Sequence, residues 1–314
     1  MQWGDIYIKN VFSECWKGTV NSEKEVKLDS MKAIDMQVNV FSKERGGMFR
    51  DPVIEADLMK YFKSGDQLYT TDEEMINELK AAGVKAVIFS ATWKALGWKD
   101  FDEVKKRHDH IGELIAKYPD TVIGAWVALD PNTGYKGLKE LERCIVDLKM
   151  FGVAACGALT GVPVNDRMWY IFYDLCRELK VPVKLWVGHL AMGGSGVRIY
   201  PENPIPHVDD VAAEFPDLTI ICAHSPWPFH NEMTSVLINK PNVYNEVHGT
   251  SPKYIPAEYK REMNSRIQDK VMFGSDYPLL NLERLFKDWD SENFKPAVLE
   301  KIYYGNAERV LGLK

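Results

Sequence analysis

The chain is predicted to be α/β, a (β/α)8 TIM barrel, and three observations carry that prediction. Eight short apolar runs rich in valine, isoleucine and aromatic residues recur along it. Helical periodicity fills seven of the joins, and strand–helix alternation at this spacing implies a parallel sheet that closes at eight units. The length fits too: 314 residues exceed the roughly 250 of a typical single barrel. That leaves an N-terminal extension over 1–30, a barrel over 31–314 and an inserted loop after strand 1.

Residues 1–30 are weakly patterned and read as a small strand and an arm. Ala33–Val40 (AIDMQVNV) is the first barrel strand. Residues 41–71 follow as a long polar insertion, and a loop of that length is usually functional or a small subdomain. A helix over 72–82 starts at a capping-box pattern, Thr71-Asp72-Glu73-Glu74, and stops at Gly83. Strand Val84–Ser90 comes next. Helix 102–117 precedes strand Thr121–Leu129, helix 136–150 precedes Val153–Leu159, and helix 166–179 precedes Val181–His189. Helix 205–214 leads into Leu218–His224, helix 230–239 into Asn242–His248, and helix 255–267 into Lys270–Asp276. Terminal helices cover 282–290 and 296–312.

The composition is 46% hydrophobic and 27% charged, with a formal net charge of −6. A nucleic-acid partner would need a clustered basic face, which is missing. Apolar runs such as Val122–Val127 are too short to span a bilayer. Residues 1–30 contain no apolar core of a signal peptide. The five cysteines (Cys15, Cys144, Cys156, Cys176, Cys222) form no CxxC, which points to reduced thiols in a cytoplasmic protein.

The chemistry gathers where the strands end. Val271-Met272-Phe273 is an apolar run that breaks at Gly274-Ser275 and delivers one carboxylate, Asp276. Strand five ends at His189 and strand six at His224. Gln37 and Asn39 lie two apart on strand one and so share a side; Asp35 is set aside as off that face. In a closed barrel the C-terminal strand ends are where catalytic groups converge.

On these residues the chain resembles the ACMS-decarboxylase-like branch of the amidohydrolase superfamily, the amidohydrolase 2 group. The matching segments are Leu218–Trp227 (LTIICAHSPW), Pro241–His248 (PNVYNEVH), Ser251–Pro256 (SPKYIP), Asp269–Leu279 (DKVMFGSDYPL) and Tyr304–Leu313 (YGNAERVLGL). The resemblance spans about 32–313 and is most specific in the C-terminal third. It implies a metal-dependent barrel whose members hydrolyse lactones or C–C bonds, or decarboxylate small aromatic and unsaturated acids. It also implies a homo-oligomer, a homodimer. His189 and Asp276 match metal ligands of the family. The family's strand-one His-x-His, however, is replaced by Gln37 and Asn39, and amide oxygens are weak ligands that suit harder cations. Two strong ligands fall short of the three that catalytic zinc takes. The site therefore holds a single divalent ion weakly (zinc, manganese or magnesium) or none. Strand four offers no bridging lysine, so a binuclear centre is not expected.

Without metal, Asp276 serves as general base, His224 polarises a carbonyl or supplies a proton, and His189 does likewise. Gln37 and Asn39 then donate N–H groups to an oxyanion. The substrate-binding set expected beside them is Trp227, His248, Arg198 and Tyr277. Other signals are read as structural. His108-Asp109-His110 lies on a charged helix and is read as solvent-exposed. Gly193-Gly194-Ser195-Gly196 is read as a flexible active-site loop. The expected activity is hydrolysis of an activated carbonyl (a lactone, β-keto thioester or vinylogous C–C bond) of a small molecule. The alternatives are non-oxidative decarboxylation of an aromatic or unsaturated acid, and a degenerate, metal-free binding protein.

Overall fold

Eight strands run parallel in the order of the chain: β1 Ala33–Asn39, β2 Val84–Phe89, β3 Val122–Ala128, β4 Val153–Ala155, β5 Val183–Trp186, β6 Ile220–Ala223, β7 Val243–Val247 and β8 Val271–Phe273. This is a computed structural model, and it describes residues 31–42, 50–63, 71–192 and 196–313. The expected extension over 1–30 lies outside the described residues. Each strand pairs with the next. The last meets the first just beyond β8: Asp276 N donates to Gln37 O at 3.0 Å, and Asn39 N to Tyr277 O at 2.7 Å. The (β/α)8 barrel is thus drawn closed by the residues that also carry the candidate chemistry.

The strands are buried almost throughout, with only Lys85, Ile123 and Tyr244 half-buried, and they are mainly apolar, as parallel strands covered on both faces must be. Helices alternate with them. α1 is Pro52–Phe62, α2 Asp72–Ala81, α3 Phe101–Lys117, α4 Gly134–Val146 and α5 Arg167–Glu178, with shorter turns between. The capping box at Thr71 and Glu74 forms as expected. Gly83 ends that helix at a φ of 68°, a left-handed conformation open to glycine at no steric cost.

Three expectations change. The insertion over 41–71 is not all loop: Asp51 caps and Pro52 starts α1, a helix signal passed over among the polar residues. The strands at β4 to β8 are shorter than the apolar runs. Residues 157–160 turn helical, and His224 and Asp276 adopt φ of 85° and 66°, which takes them out of the ladder. The final helix divides into Pro296–Glu300, a π-helical segment Lys301–Gly305, and Asn306–Leu311.

His108 and His110 are both buried, at 0% and 5% exposure, contrary to the solvent-exposed expectation. They do point to different sides of α3. That helix is flanked on both: His108 meets Glu140 of α4 at 2.8 Å, and His110 meets Asp72 of α2 at 2.6 Å. Charged neighbours on the outer stripe hid this double flanking.

Candidate active site

At the C-terminal end of the barrel a cavity of about 70 Å³ is lined by Gln37, His224, His248 and Asp276 on its polar side. Phe89, Trp93 and Trp186 form an aromatic wall, with ring centroids 4.8 to 5.0 Å apart. Leu58 and Phe62 of α1 and Leu190, Ala191 and Met192 after β5 complete it. A groove of about 630 Å³ beside β2 and β3 is larger. Its titratable lining is Lys94, Lys99, Asp130 and Lys136, with no imidazole, so the acid–base constellation belongs to the smaller cavity.

The polar side is held rigidly. Asn39 Nδ2 donates to Asp276 Oδ1 at 2.8 Å. Rotating that amide would set two acceptor oxygens against each other, so the N–H2 must face the carboxylate. Gln37 Nε2 donates to Asn39 Oδ1 at 3.4 Å. His224 and His248 stack edge to face with centroids 4.2 Å apart. Burial drives His224 well below the usual imidazole value and brings His248 to about 3, so both are neutral near pH 7. His224 and Asp276 both sit at positive φ, which costs about 1–2 kcal/mol for a residue with a Cβ. Such backbone persists where surrounding contacts over-determine it.

Two charges that the sequence reading missed lie beneath the cavity. Lys184 in β5 and Glu246 in β7 are both 0% exposed and pair at 2.7 Å. Lys184 Nζ also donates to Gln37 Oε1 at 2.5 Å and to Met36 O at 3.0 Å. Glu246 accepts from His248 Nδ1 at 2.8 and 2.9 Å, which leaves the other ring nitrogen, Nε2, as an acceptor. Burial lowers the Lys184 ammonium and raises Glu246 to about 7, each opposed by attraction to the other. Gly274 is required here: a Cβ on it would come within 2.5 Å of Glu246 Oε2. A charge inside an apolar strand must find a partner. Lys184 within VKLW and Glu246 within VYNEV were visible as charges of opposite sign on two buried strands.

Asp35 was set aside wrongly. It shares parity with Gln37 and Asn39. It is fully buried and accepts from Ser275 N at 2.9 Å, Ser275 Oγ at 2.5 Å and Gln37 N at 3.1 Å. It thereby ties β1 to the segment bearing Asp276. Burial lifts it to about 7, against the hydrogen bonds from Ser275.

The other expected site residues stand further out. His189 is half-buried; its ring packs on Trp227 at 5.0 Å, and its Nδ1 is buried without a partner. Trp227 is 50% exposed. Arg198 is exposed and donates to Tyr200 Oη at 3.4 Å. Tyr277 is buried and donates to Glu78 at 2.6 Å. None of these four lines the cavity. Residues Gly193, Gly194 and Ser195 of the expected loop lie outside the described residues.

A divalent ion held by Gln37, Asn39, His189 and Asp276 does not fit this arrangement. The oxygen of Gln37 is occupied by the Lys184 ammonium, and Asn39 gives its oxygen to Gln37 and its N–H2 to Asp276. Of these four, His189 keeps a buried Nδ1 without a partner and Asp276 keeps Oδ2 outside its bond with Asn39, so two donors are left where catalytic zinc takes three. Elsewhere, His108, Glu140 and Cys144 bring ligand atoms within 4.8 Å of one another. There, Arg143 pairs with Glu140 at 2.7 Å and supplies the positive charge.

The Amidohydrolase (Amidohydro_2) family model matches residues 34–313. The chain is 25% identical over 182 residues to a 2-keto-4-carboxy-3-hexenedioate hydratase from Sphingobium sp. SYK-6, covering 51% of this chain and 53% of the hydratase. It therefore spans about half of that relative's length. It is 23% identical over 286 residues to a gamma-resorcylate decarboxylase from Polaromonas sp. JS666, covering 77% and 83%. Among solved structures, an uncharacterised TIM-barrel protein from Bordetella bronchiseptica superimposes with a TM-score of 0.72 at 25% identity, covering 90% of this chain and 99% of that one. A dihydroxybenzoic acid decarboxylase from Polaromonas sp. JS666, solved with manganese and 2-nitroresorcinol, gives 0.58 at 17% identity, covering 90% and 97%. No helix among the described residues is long and apolar enough to cross a membrane. With its eight-stranded barrel and a family match over nearly its whole length, the chain belongs to the amidohydrolase family.

Proposed function

We propose that the chain is a lyase that decarboxylates a small planar carboxylic acid, aromatic or unsaturated. The observation that carries this reading is the placement of Asp276, His224 and His248 opposite the wall of Phe89, Trp93 and Trp186. A flat apolar face beside a few convergent polar groups selects a planar ligand. The two curated relatives named above are consistent with it: both names describe reactions of unsaturated or aromatic carboxylic acids.

In the proposed reaction Asp276 acts as a carboxylic acid: it delivers a proton from Oδ2, the oxygen not bonded to Asn39, to the carbon bearing the carboxylate, and takes one back from water after product leaves. The bond from that carbon to the carboxylate then breaks, its electron pair restores the π bond that protonation interrupted, and carbon dioxide leaves. His224 and His248, being neutral, orient the substrate oxygens without adding charge. The ring occupies the aromatic wall, where water is excluded. The cavity is roughly half of the ~150 Å³ that holds a benzene ring. Binding therefore requires Leu58 and Phe62, or Leu190–Met192, to yield.

A second reading is hydrolysis of an activated carbonyl. The favouring observation is the Asn39 N–H2 aimed at Asp276, which presents that group as an acceptor for a proton from water. A panel of hydroxybenzoates and unsaturated diacids, run in D2O, separates the two. Decarboxylation releases carbon dioxide and leaves one deuterium on the former carboxylate carbon. Hydrolysis of lactones or β-keto thioesters instead places oxygen from labelled water in the product. Absence of turnover on either panel, with ligand-induced stabilisation, would favour the binding protein.

A further inference from the structure

The interior beneath the cavity is organised around one ammonium group. Lys184 Nζ has three N–H donors and meets three oxygens: Met36 O, Gln37 Oε1 and Glu246 Oε1. The indole rings of Trp126 and Trp186 stand 5.4 and 5.2 Å from it, within the range of cation–π attraction. Two arms run from this centre to the cavity. One passes through Gln37 and Asn39 to Asp276. The other passes through Glu246 to His248.

We propose that Lys184 is the resident cation of this active site, positioning Asp276 and His248 through these arms and making the chain independent of a divalent metal. Three features carry the proposal. The strand-one amide oxygens are already committed inside the chain. The amide orientation is fixed, because the opposite one would set oxygen against oxygen at Asp276. A second cation placed among Gln37, Asn39 and Asp276 would be repelled by the ammonium that Gln37 contacts. The Lys184 side chain, tethered and fully buried, needs no supply of ion and cannot be removed by a chelator.

The inference rests on the barrel mouth being the active site and not on which reaction it runs, so metal content is measured apart from any substrate. The full chain is purified, dialysed against chelator and analysed for manganese, zinc and magnesium. It is then melted with and without added manganese. The expected result is substoichiometric metal and an unchanged Tm. Stoichiometric manganese in the chain, with a Tm raised by several degrees on its addition, would overturn the proposal. A pair of variants tests the role of the charge directly. Gln37→His/Asn39→His, with Lys184 in place, is expected to take up no manganese. Adding Lys184→Gln, which keeps hydrogen bonding without the charge, is expected to bring binding of about one ion per chain. Equal manganese uptake by the double and triple variants would show that Lys184 does not exclude the ion. Should the triple variant fail to fold, Lys184→Arg in the natural background keeps the charge and must remain metal-free, and manganese uptake by it would count equally against the proposal.

Discussion

Two buried histidine–glutamate pairs in this barrel have the same length and opposite settings. His108–Glu140 and His248–Glu246 each span 2.8 Å. In the first, the second ring nitrogen meets Thr92 Oγ1 at 3.1 Å and Glu140 is clamped by Arg143. In the second, the ring lines a cavity, stacks against His224, and its glutamate holds a fully buried lysine. The carboxylates respond accordingly. Burial would raise both, yet hydrogen bonds from His108 and Arg143 draw Glu140 down to about 2, whereas Glu246 rises to about 7 against the pull of Lys184. A sealed pair of this kind stabilises a helix interface. A pair left open on one side has a ring nitrogen available for chemistry. What distinguishes them is the environment around the pair, which is invisible in the pair's own geometry.

The largest expected effect breaks the open cluster. Asp276→Asn retains the shape of the side chain and can still meet Asn39. Turnover of the acid found in the decarboxylation screen should fall about 10²–10⁴-fold, the usual worth of a proton-transferring group, with Tm nearly unchanged. Full activity in this variant would remove Asp276 from the mechanism.

The sealed cluster should respond in the reverse way. His108→Ala empties a fully buried site and leaves Glu140 and Thr92 each one partner short. A loss of about 3–4 kcal/mol in urea unfolding is expected. The kcat of the folded fraction should not move. A fall in kcat with stability intact would place chemistry at α3 and α4.

The fold was legible because eight apolar runs and their intervening helices repeat at one spacing, and a local pattern suffices to see that. His224 and Asp276 were legible for the same reason, as polar residues where an apolar run stops. Lys184 and Glu246 were not found, because the pair makes sense only once β1, β5 and β7 face a common axis; Asp35 was legible all along, since it shares the parity of Gln37 and Asn39 on β1. Lys184 and Gln37 meet across 147 positions of sequence. The burial of His108 and His110 was missed for a related reason: helical periodicity identifies one apolar stripe, while α3 is covered on two sides by neighbours the sequence does not order in space.

A third buried acid sharpens the comparison by having no cation beside it among the described residues. Glu202 accepts from Ala158 N at 2.6 Å and Cys156 Sγ at 3.3 Å, and its Oε2 is buried without a partner. Burial raises it to about 8 from an ordinary 4.5. Between those values the native state holds a proton that the unfolded chain releases, so this group's contribution to stability falls as pH rises. From pH 5 to 7 the loss should be ~2–3 kcal/mol. Glu202→Gln cannot release the proton and should flatten that slope in unfolding curves taken at the two pH values. An unchanged slope would mean that Glu202 is ionised in the folded protein.

The smallest effect is expected at the rim of the open cluster. Trp227 was expected to contact substrate, but it is half exposed, and its ring packs on His189 outside the cavity. Trp186 is 3% exposed, within 5.0 Å of Phe89 and Trp93, and faces the cavity. Trp227→Ala should therefore change kcat/KM by less than about tenfold and stability by under about 1 kcal/mol, as for surface positions generally. Trp186→Phe preserves a flat apolar face while removing part of the wall, and it should raise KM for a planar acid more than Trp227→Ala does. If the order is reversed, the substrate lies against His189 and Trp227 outside the cavity, and the closed space beneath α1 is packing rather than a binding site.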